Sequence, residues 1–225
     1  MVDFNQYKVL TYDCYGTLID WESGILSVLK PVLSNHNKNL SDKKILDLFA
    51  EIEQGVQKEG EYIKYRGVLR KVMQRFGNRL GFTPSASELN CLVDSLKDWL
   101  PFPDTVQALK TMKKKYKLSV ISNIDDDLFA LTARHLQVEF DWIITAEQVK
   151  SYKPSLSNFE YAIEKIGVPL DRILHVAQSI YHDIIPAKTM GLSAVWVNRR
   201  GQKEECDADL EVIDLESLVS HMNLD

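Results

Sequence analysis

Hydrophobic positions along this chain change period twice. The run Val9-Leu10-Thr11-Tyr12 is continuous and too short for a helix, which predicts a buried strand. From about residue 21 to 99 no convincing strand pattern occurs, and apolar residues recur at helical spacing instead. Helices are expected over 25–33, 43–57, 65–76 and 87–96, the last starting behind Pro84-Ser85. In the second of these, Ile45, Leu48, Phe49, Ile52 and Val56 share one face. That is a four-helix insertion, plausible as a bundle, and Gly24, Gly55 and Gly60 are read as interruptions of it.

After Pro101-Phe102-Pro103 the rhythm alternates. Helices are expected at 104–115, 126–136, 156–166 and 183–190, and strands at 118–121, 142–144, 173–176 and 194–197. Residues 201–209 read as a polar loop and 215–222 as a final helix. Strands alternating with helices predict an α/β fold with a parallel, doubly wound sheet.

Composition narrows this only slightly. With 225 residues, 45% hydrophobic and 26% charged, the chain suits one or two domains with a sizeable core. A net charge of -5 argues against nucleic acid and anionic membrane as partners. The basic clusters, Lys113-Lys114-Lys115-Tyr116-Lys117 and Arg199-Arg200, are expected to be solvated, the first at a helix end. No signal pattern or long apolar run is seen, so a cytoplasmic protein is expected, monomer or homodimer. Cys14, Cys91 and Cys206 show neither a disulfide framework nor zinc spacing, and Cys14 reads as a small apolar filler.

The first strand ends in Asp13 and turns at Gly16. In α/β sheets ligands bind outside the carboxyl ends of strands, so Asp13 is placed to act as a nucleophile. Equally, Asp-x-x-Gly is a common turn. From these residues alone both readings stand.

The stretch Asp13-Cys14-Tyr15-Gly16-Thr17-Leu18-Ile19-Asp20-Trp21-Glu22 resembles the first motif of the haloacid dehalogenase superfamily, and specifically its 2-haloacid dehalogenase branch. The other motifs follow in order: Ser122-Asn123, then Lys153 before Pro154, then the segment His175 to Asp183. The resemblance spans essentially the whole chain. It implies a Rossmann-like core at 1–19 and 100–225, with a helical-bundle cap domain at 20–99.

The resemblance also implies roles. Asp13 would attack carbon and Thr17 would position it. Lys153 would pair with Asp13 and stabilise charge on the ester, while Asp183 orients Lys153 and the hydrolytic water. Ser122, and the backbone near Tyr15 and Gly16, would hold the substrate carboxylate, with Asn123 cradling halide. Gln178 and Ser179 complete the substrate site. Phosphatase members carry a second Asp where Tyr15 stands, to protonate the departing alcohol; halide needs no proton. They also carry Asp in place of Gln178, and Gln cannot supply the charge a hard cation wants. The implied function is hydrolysis of a small-molecule substrate, an (S)-2-haloacid, through an aspartyl ester, with no cofactor. The alternatives are a magnesium-dependent phosphatase and a weakly active binding protein.

Other residues depart from the family or invite a second reading. The usual cap arginine is absent from Leu48-Phe49-Ala50-Glu51, and Arg66 is expected to take its place at the halide, ahead of Arg70, which reads as a solvated partner of a Glu. Trp21 and Tyr65 are candidate walls. Phe159 stands where a Tyr is often found. His182 is a candidate base that reads more simply as structural. Asp125, Asp126 and Asp127 imitate a metal site but are explained as cap and dipole partners of the helix they open.

Overall fold

The structure is a computed structural model and describes residues 2–224. Six parallel strands form one sheet, β1 (Val9–Tyr12), β2 (Lys117–Ser122), β3 (Trp142–Thr145), β4 (Ile173–Ala177), β5 (Ser193–Val197) and β6 (Leu210–Val212), in the order β3-β2-β1-β4-β5-β6. The order reverses at β1, whose register sets Tyr12 beside Val120 on one side and Val176 on the other. The carboxyl ends of β1, β2 and β4 therefore lie together at the switch point, where an open α/β sheet leaves a crevice.

Strand periodicity divides the core. Leu10, Tyr12, Leu118, Val120, Leu174, Val176, Val195 and Val197 join one buried cluster, while Val9, Ile121, Ile173, Ala177, Ala194 and Trp196 join the other. Both faces are covered, as a parallel sheet requires.

Four α-helices lie between β1 and Pro101: α1 (Trp21–Asn35), α2 (Asp42–Gln57), α3 (Tyr65–Leu80) and α4 (Cys91–Ser95). Asp20 and Ser41 cap the first two through bonds from the Ser23 and Lys44 N–H groups. The apolar faces of these helices are continuous with the first core cluster. Gly24 and Gly55 do not interrupt helices; they lie inside α1 and α2. At Gly24 the reason is contact, since a Cβ there would come within 2.5 Å of the Trp99 ring.

The remaining helices are α5 (Thr105–Lys113), α6 (Asp126–Leu136), α7 (Ala146–Val149), α8 (Leu156–Ile166), α9 (Ile185–Thr189) and α10 (Leu215–His221). Two expectations need correction. The helix expected at 183–190 begins earlier, as a π-turn over Ile180–Ile184 that runs into α9, with Ser179 accepting from His182 N–H. The edge strand β6 was not expected from the sequence. In the first basic cluster Lys114, Lys115 and Lys117 are exposed, as expected, and Lys113 and Lys117 pair with Asp141. Among the described residues no helix is long and apolar enough to cross a membrane.

Candidate active site

Asp13 leaves β1 as the chain turns at Gly16, whose φ of 101° excludes most side chains. Thr17 Oγ1 donates to Asp13 Oδ2 at 2.7 Å and accepts from the Gln178 N–H at 2.9 Å, locking the loop after β1 to the loop after β4. Lys153 comes from the loop before α8. Its ammonium donates to Asp13 Oδ1 (2.9 Å), Asp183 Oδ1 (2.6 Å) and the Ile121 carbonyl (2.8 Å), which spends all three hydrogens. Only 2% of Lys153 is exposed. A charge so buried persists because it is paired.

The same cluster extends beneath the site. His175 Nε2 lies 3.2 Å from Asp183 Oδ1, and its Nδ1 lies 2.9 Å from Thr11 Oγ1. A ring protonated on Nε2 satisfies both, with the Thr11 hydroxyl donating to Nδ1. Burial pushes the Asp13 carboxyl above its ordinary value, against the pull of Lys153, and the Asp183 charge adds to the rise. Burial acts on Asp183 in the same sense, but there Lys153 and His175 prevail and hold it below the ordinary value. For Lys153 burial disfavours the ammonium, yet the two carboxylates outweigh it and raise its pKa. The result is one cation held between two anions, one of them unusually basic.

A cavity of about 100 Å³ lies over this cluster, lined by Asp13, Ser122, Asn123, Lys153 and Asp183 from the sheet side and by Glu53 and Tyr65 from the inserted helices. Ser122 Oγ and Asp183 Oδ2 are buried without partners. An unsatisfied buried polar group costs about 1–3 kcal/mol, so both are groups that an occupant of the cavity would complete. Cys14, beside Asp13, is fully buried, and burial pushes its thiol well above its ordinary value, as a filler would be.

Several expected residues are placed differently. Arg66 does not face Asp13: its guanidinium pairs with Asp125 and Asp127, and it lines neither cavity described here. Asp125 holds the N-cap position of α6, with Asp126 and Asp127 in its first turn, but its side chain makes no capping bond there. Its carboxylate accepts from the Tyr65 N–H (2.7 Å) and Arg66 N–H (3.1 Å), so it caps α3 from across the structure. Arg70 donates to Asn90 rather than to a Glu. Asn123 spends its amide on the Lys153 backbone, donating to its carbonyl (3.0 Å) and accepting from its N–H (2.7 Å), so it positions the lysine loop. The Gly16 N–H is donated to the Ile19 carbonyl, which removes it from the substrate's donors. Phe159 is fully buried against the His175 ring.

Other expected residues do meet the site. Tyr15, Trp21, Tyr65, Gln178, Ser179 and His182 line a second cavity that shares Tyr15, Glu53, Tyr65, Ser179 and His182 with the first. The Tyr15 hydroxyl is turned to Thr132 at 2.7 Å. Burial lowers the pKa of His182.

Three functional candidates were missed by sequence reasoning. Glu53 carried no motif, and only its spacing from Phe49 along α2 puts it one turn on toward the site. His175 was read as a strand residue. Arg199 was read as solvated, yet it grips the Thr17 carbonyl with two N–H groups (3.0 and 2.8 Å), pairs with Asp104 and stacks over Phe102. It fixes the turn that carries Thr17.

The donor set fits a divalent cation poorly. Asp13 and Asp183 already share an ammonium, and Gln178 turns its amide toward Gln202 at 3.4 Å. Magnesium prefers octahedral oxygen donors, usually including carboxylates; here only Asp183 Oδ2 is a carboxylate oxygen of the buried pair without a partner.

A buried carboxylate–ammonium–carboxylate cluster beneath a cavity, at the switch point of a parallel sheet, is the layout of an enzyme. A family model described as haloacid dehalogenase-like hydrolase matches residues 7–191, and the chain belongs to that family. The chain is 26% identical over 203 residues to an (S)-2-haloacid dehalogenase of Pseudomonas fluorescens, covering 88% of this chain and 87% of that one. It is 33% identical over 126 residues to a glyceraldehyde 3-phosphate phosphatase of Methanothermobacter thermautotrophicus, covering 51% of this chain and 54% of that one. Its fold matches an L-2-haloacid dehalogenase structure from Xanthobacter autotrophicus with a TM-score of 0.84 at 21% identity, covering 96% of this chain and 98% of that one.

Proposed function

We propose that this hydrolase removes halide from an (S)-2-haloacid through an aspartyl ester, with residues 20–99 serving as the cap over a core formed by 1–19 and 100–225. The observation that carries the reading is the Lys153 bridge between Asp13 and Asp183, next to a position where Tyr15, not a second acid, follows the nucleophile. A reaction that needs no protonated leaving group fits that arrangement; alcohol departure from a phosphate ester does not.

In the first step the Asp13 carboxylate attacks the α-carbon from the side opposite the halogen. A C–O bond forms, the C–halogen bond breaks, and halide leaves with the bonding pair. Burial makes the Asp13 oxygen more basic and so a better nucleophile, and Thr17 and Lys153 hold its orientation. The Ser122 hydroxyl, otherwise unpaired, donates to the substrate carboxylate. In the second step water attacks the ester carbonyl of Asp13. Asp183 Oδ2 accepts its hydrogen bond, and Lys153 stabilises the oxyanion. Cleavage of the acyl C–O bond releases the 2-hydroxyacid and regenerates Asp13, with one proton passing to solvent.

Asp13→Asn removes the only competent nucleophile, and turnover should fall below detection while the circular dichroism spectrum is unchanged. One turnover in oxygen-18 water should label Asp13, whereas label appearing directly in the product would sink the ester route. On this reading no metal takes part, so halide release persists in EDTA. Magnesium-reversible loss, accompanied by hydrolysis of a generic phosphate ester, would favour the phosphatase instead.

A further inference from the structure

Haloacid hydrolysis as proposed above uses only the small cavity, and the larger one remains. It measures about 380 Å³ and opens off the first across Tyr15, Glu53 and Tyr65. Its deep wall consists of the buried side chains of Ile25, Phe49, Leu96 and Trp99, with Trp21 beside them. These rings brace one another: Trp21 lies 5.9 Å from Phe49, and Tyr15 meets Trp99 edge-on at 5.9 Å. Thr132 fixes the Tyr15 ring by its hydroxyl, and Ser95 accepts from Trp99 Nε1 at 3.1 Å. The chamber is thus preformed. Its other side is polar, lined by Gln54, Gln178, Arg200, Gln202 and Glu204, where Arg200 pairs with Glu22 and lies 5.7 Å from the Trp21 ring.

A preformed concave site of about 300–1,000 Å³, apolar with a few polar groups at its edge, is the usual form of a small-molecule pocket. Acetate- or propionate-sized acids leave such a chamber filled only with water, and burying an apolar group there gains about 25 cal/mol per Å².

We infer that the preferred substrate carries a large apolar α-substituent, an aryl or long alkyl group, which the aromatic chamber receives while the halogen-bearing carbon lies over Asp13. This deepens the dehalogenase reading and rests on it. The small cavity then holds the carboxylate and α-carbon, and the chamber supplies affinity and discrimination.

The test compares kcat/KM for (S)-2-bromo-3-phenylpropanoate and (S)-2-bromopropanoate in the wild-type enzyme and in Ala50→Phe, which narrows the chamber from α2. The wild type should favour the aryl acid at least tenfold, and the variant should reduce that ratio to near one. Binding of unhalogenated 3-phenylpropanoate and of propanoate, followed by tryptophan fluorescence, needs no turnover. Tighter binding of the aryl acid, weakened by Ala50→Phe, supports the chamber even if neither bromoacid releases bromide, in which case the dehalogenase reading alone has failed. Equal or better turnover of 2-bromopropanoate, with no difference in binding between the two unhalogenated acids, overturns the inference.

Discussion

Glu53 stands where the two cavities meet, and its titration gives a stability test that does not depend on the substrate. Burial lifts its carboxyl from an ordinary 4.5 to about 7, only partly offset by the Tyr65 hydroxyl, which donates to Oε1 at 2.6 Å. The folded state therefore binds this proton more tightly than the unfolded chain does. The stabilisation is complete below about pH 4.5 and is lost as pH rises through about 7. At about 1.4 kcal/mol per pH unit, the ionised side chain costs at most about 3 kcal/mol by pH 8, and water in the adjoining cavities reduces that. Glu53→Gln keeps an acceptor for Tyr65 but cannot ionise. Urea unfolding of both proteins at intervals from pH 5 to pH 8.5 isolates the difference, because other titrating groups are common to the two. The variant should match the wild type near pH 5 and exceed it by about 1–3 kcal/mol at pH 8. A difference that is flat with pH, or that grows toward acid, would refute the assignment of a half-buried, reluctantly ionised carboxyl.

Other substitutions test the supports of the site. Gly24→Ala drives a Cβ into the Trp99 ring and should cost about 1–3 kcal/mol, with a shift in tryptophan emission; an unchanged urea midpoint would contradict it. Asp125→Asn weakens the cap of α3 and strips the charge from the Arg66 pair, so the midpoint should fall by the equivalent of about 1–2 kcal/mol. Arg66→Ala should leave halide release within about twofold of the parent, since the guanidinium faces Asp125 and Asp127; a loss greater than tenfold would restore it to the site.

The parts of the fold legible in the sequence were those coded locally. The bounds expected for α6 and α8 coincide with those observed because acidic residues or a proline open them and a periodic apolar face runs to their ends. β6 was invisible: three residues at a sheet edge, only the last fully buried, give no alternation to read. Asp13, Thr17, Ser122, Lys153 and Asp183 were singled out by resemblance to family motifs, and the fold gathers them because β1, β2 and β4 end together at the switch point. Arg66 was misplaced, and Glu53 and Arg199 overlooked, because their partners lie on other elements. Nothing near Arg66 in the chain announces that Asp125 will seat beneath α3. Gly24 shows the same limit, as its meaning depends on a tryptophan seventy-five residues away.

That seat under α3 has a mechanical consequence. The segment entering the helix is fastened three times to segments that follow β2 and β3: by Asp125 to two backbone N–H groups, by the Tyr152 hydroxyl to the Ile63 carbonyl at 2.7 Å, and by Lys64 to Glu147 of α7 at 2.6 Å. Two chain crossings alone would let the inserted helices swing as a door on its hinges. A riveted corner between them takes away that freedom and turns the corner into a fulcrum. Tyr181 and Arg200 line the chamber, and side chains of this kind rotate far faster than packed helices shear. The inserted helices are thereby tied to the core at a point their two chain crossings do not supply.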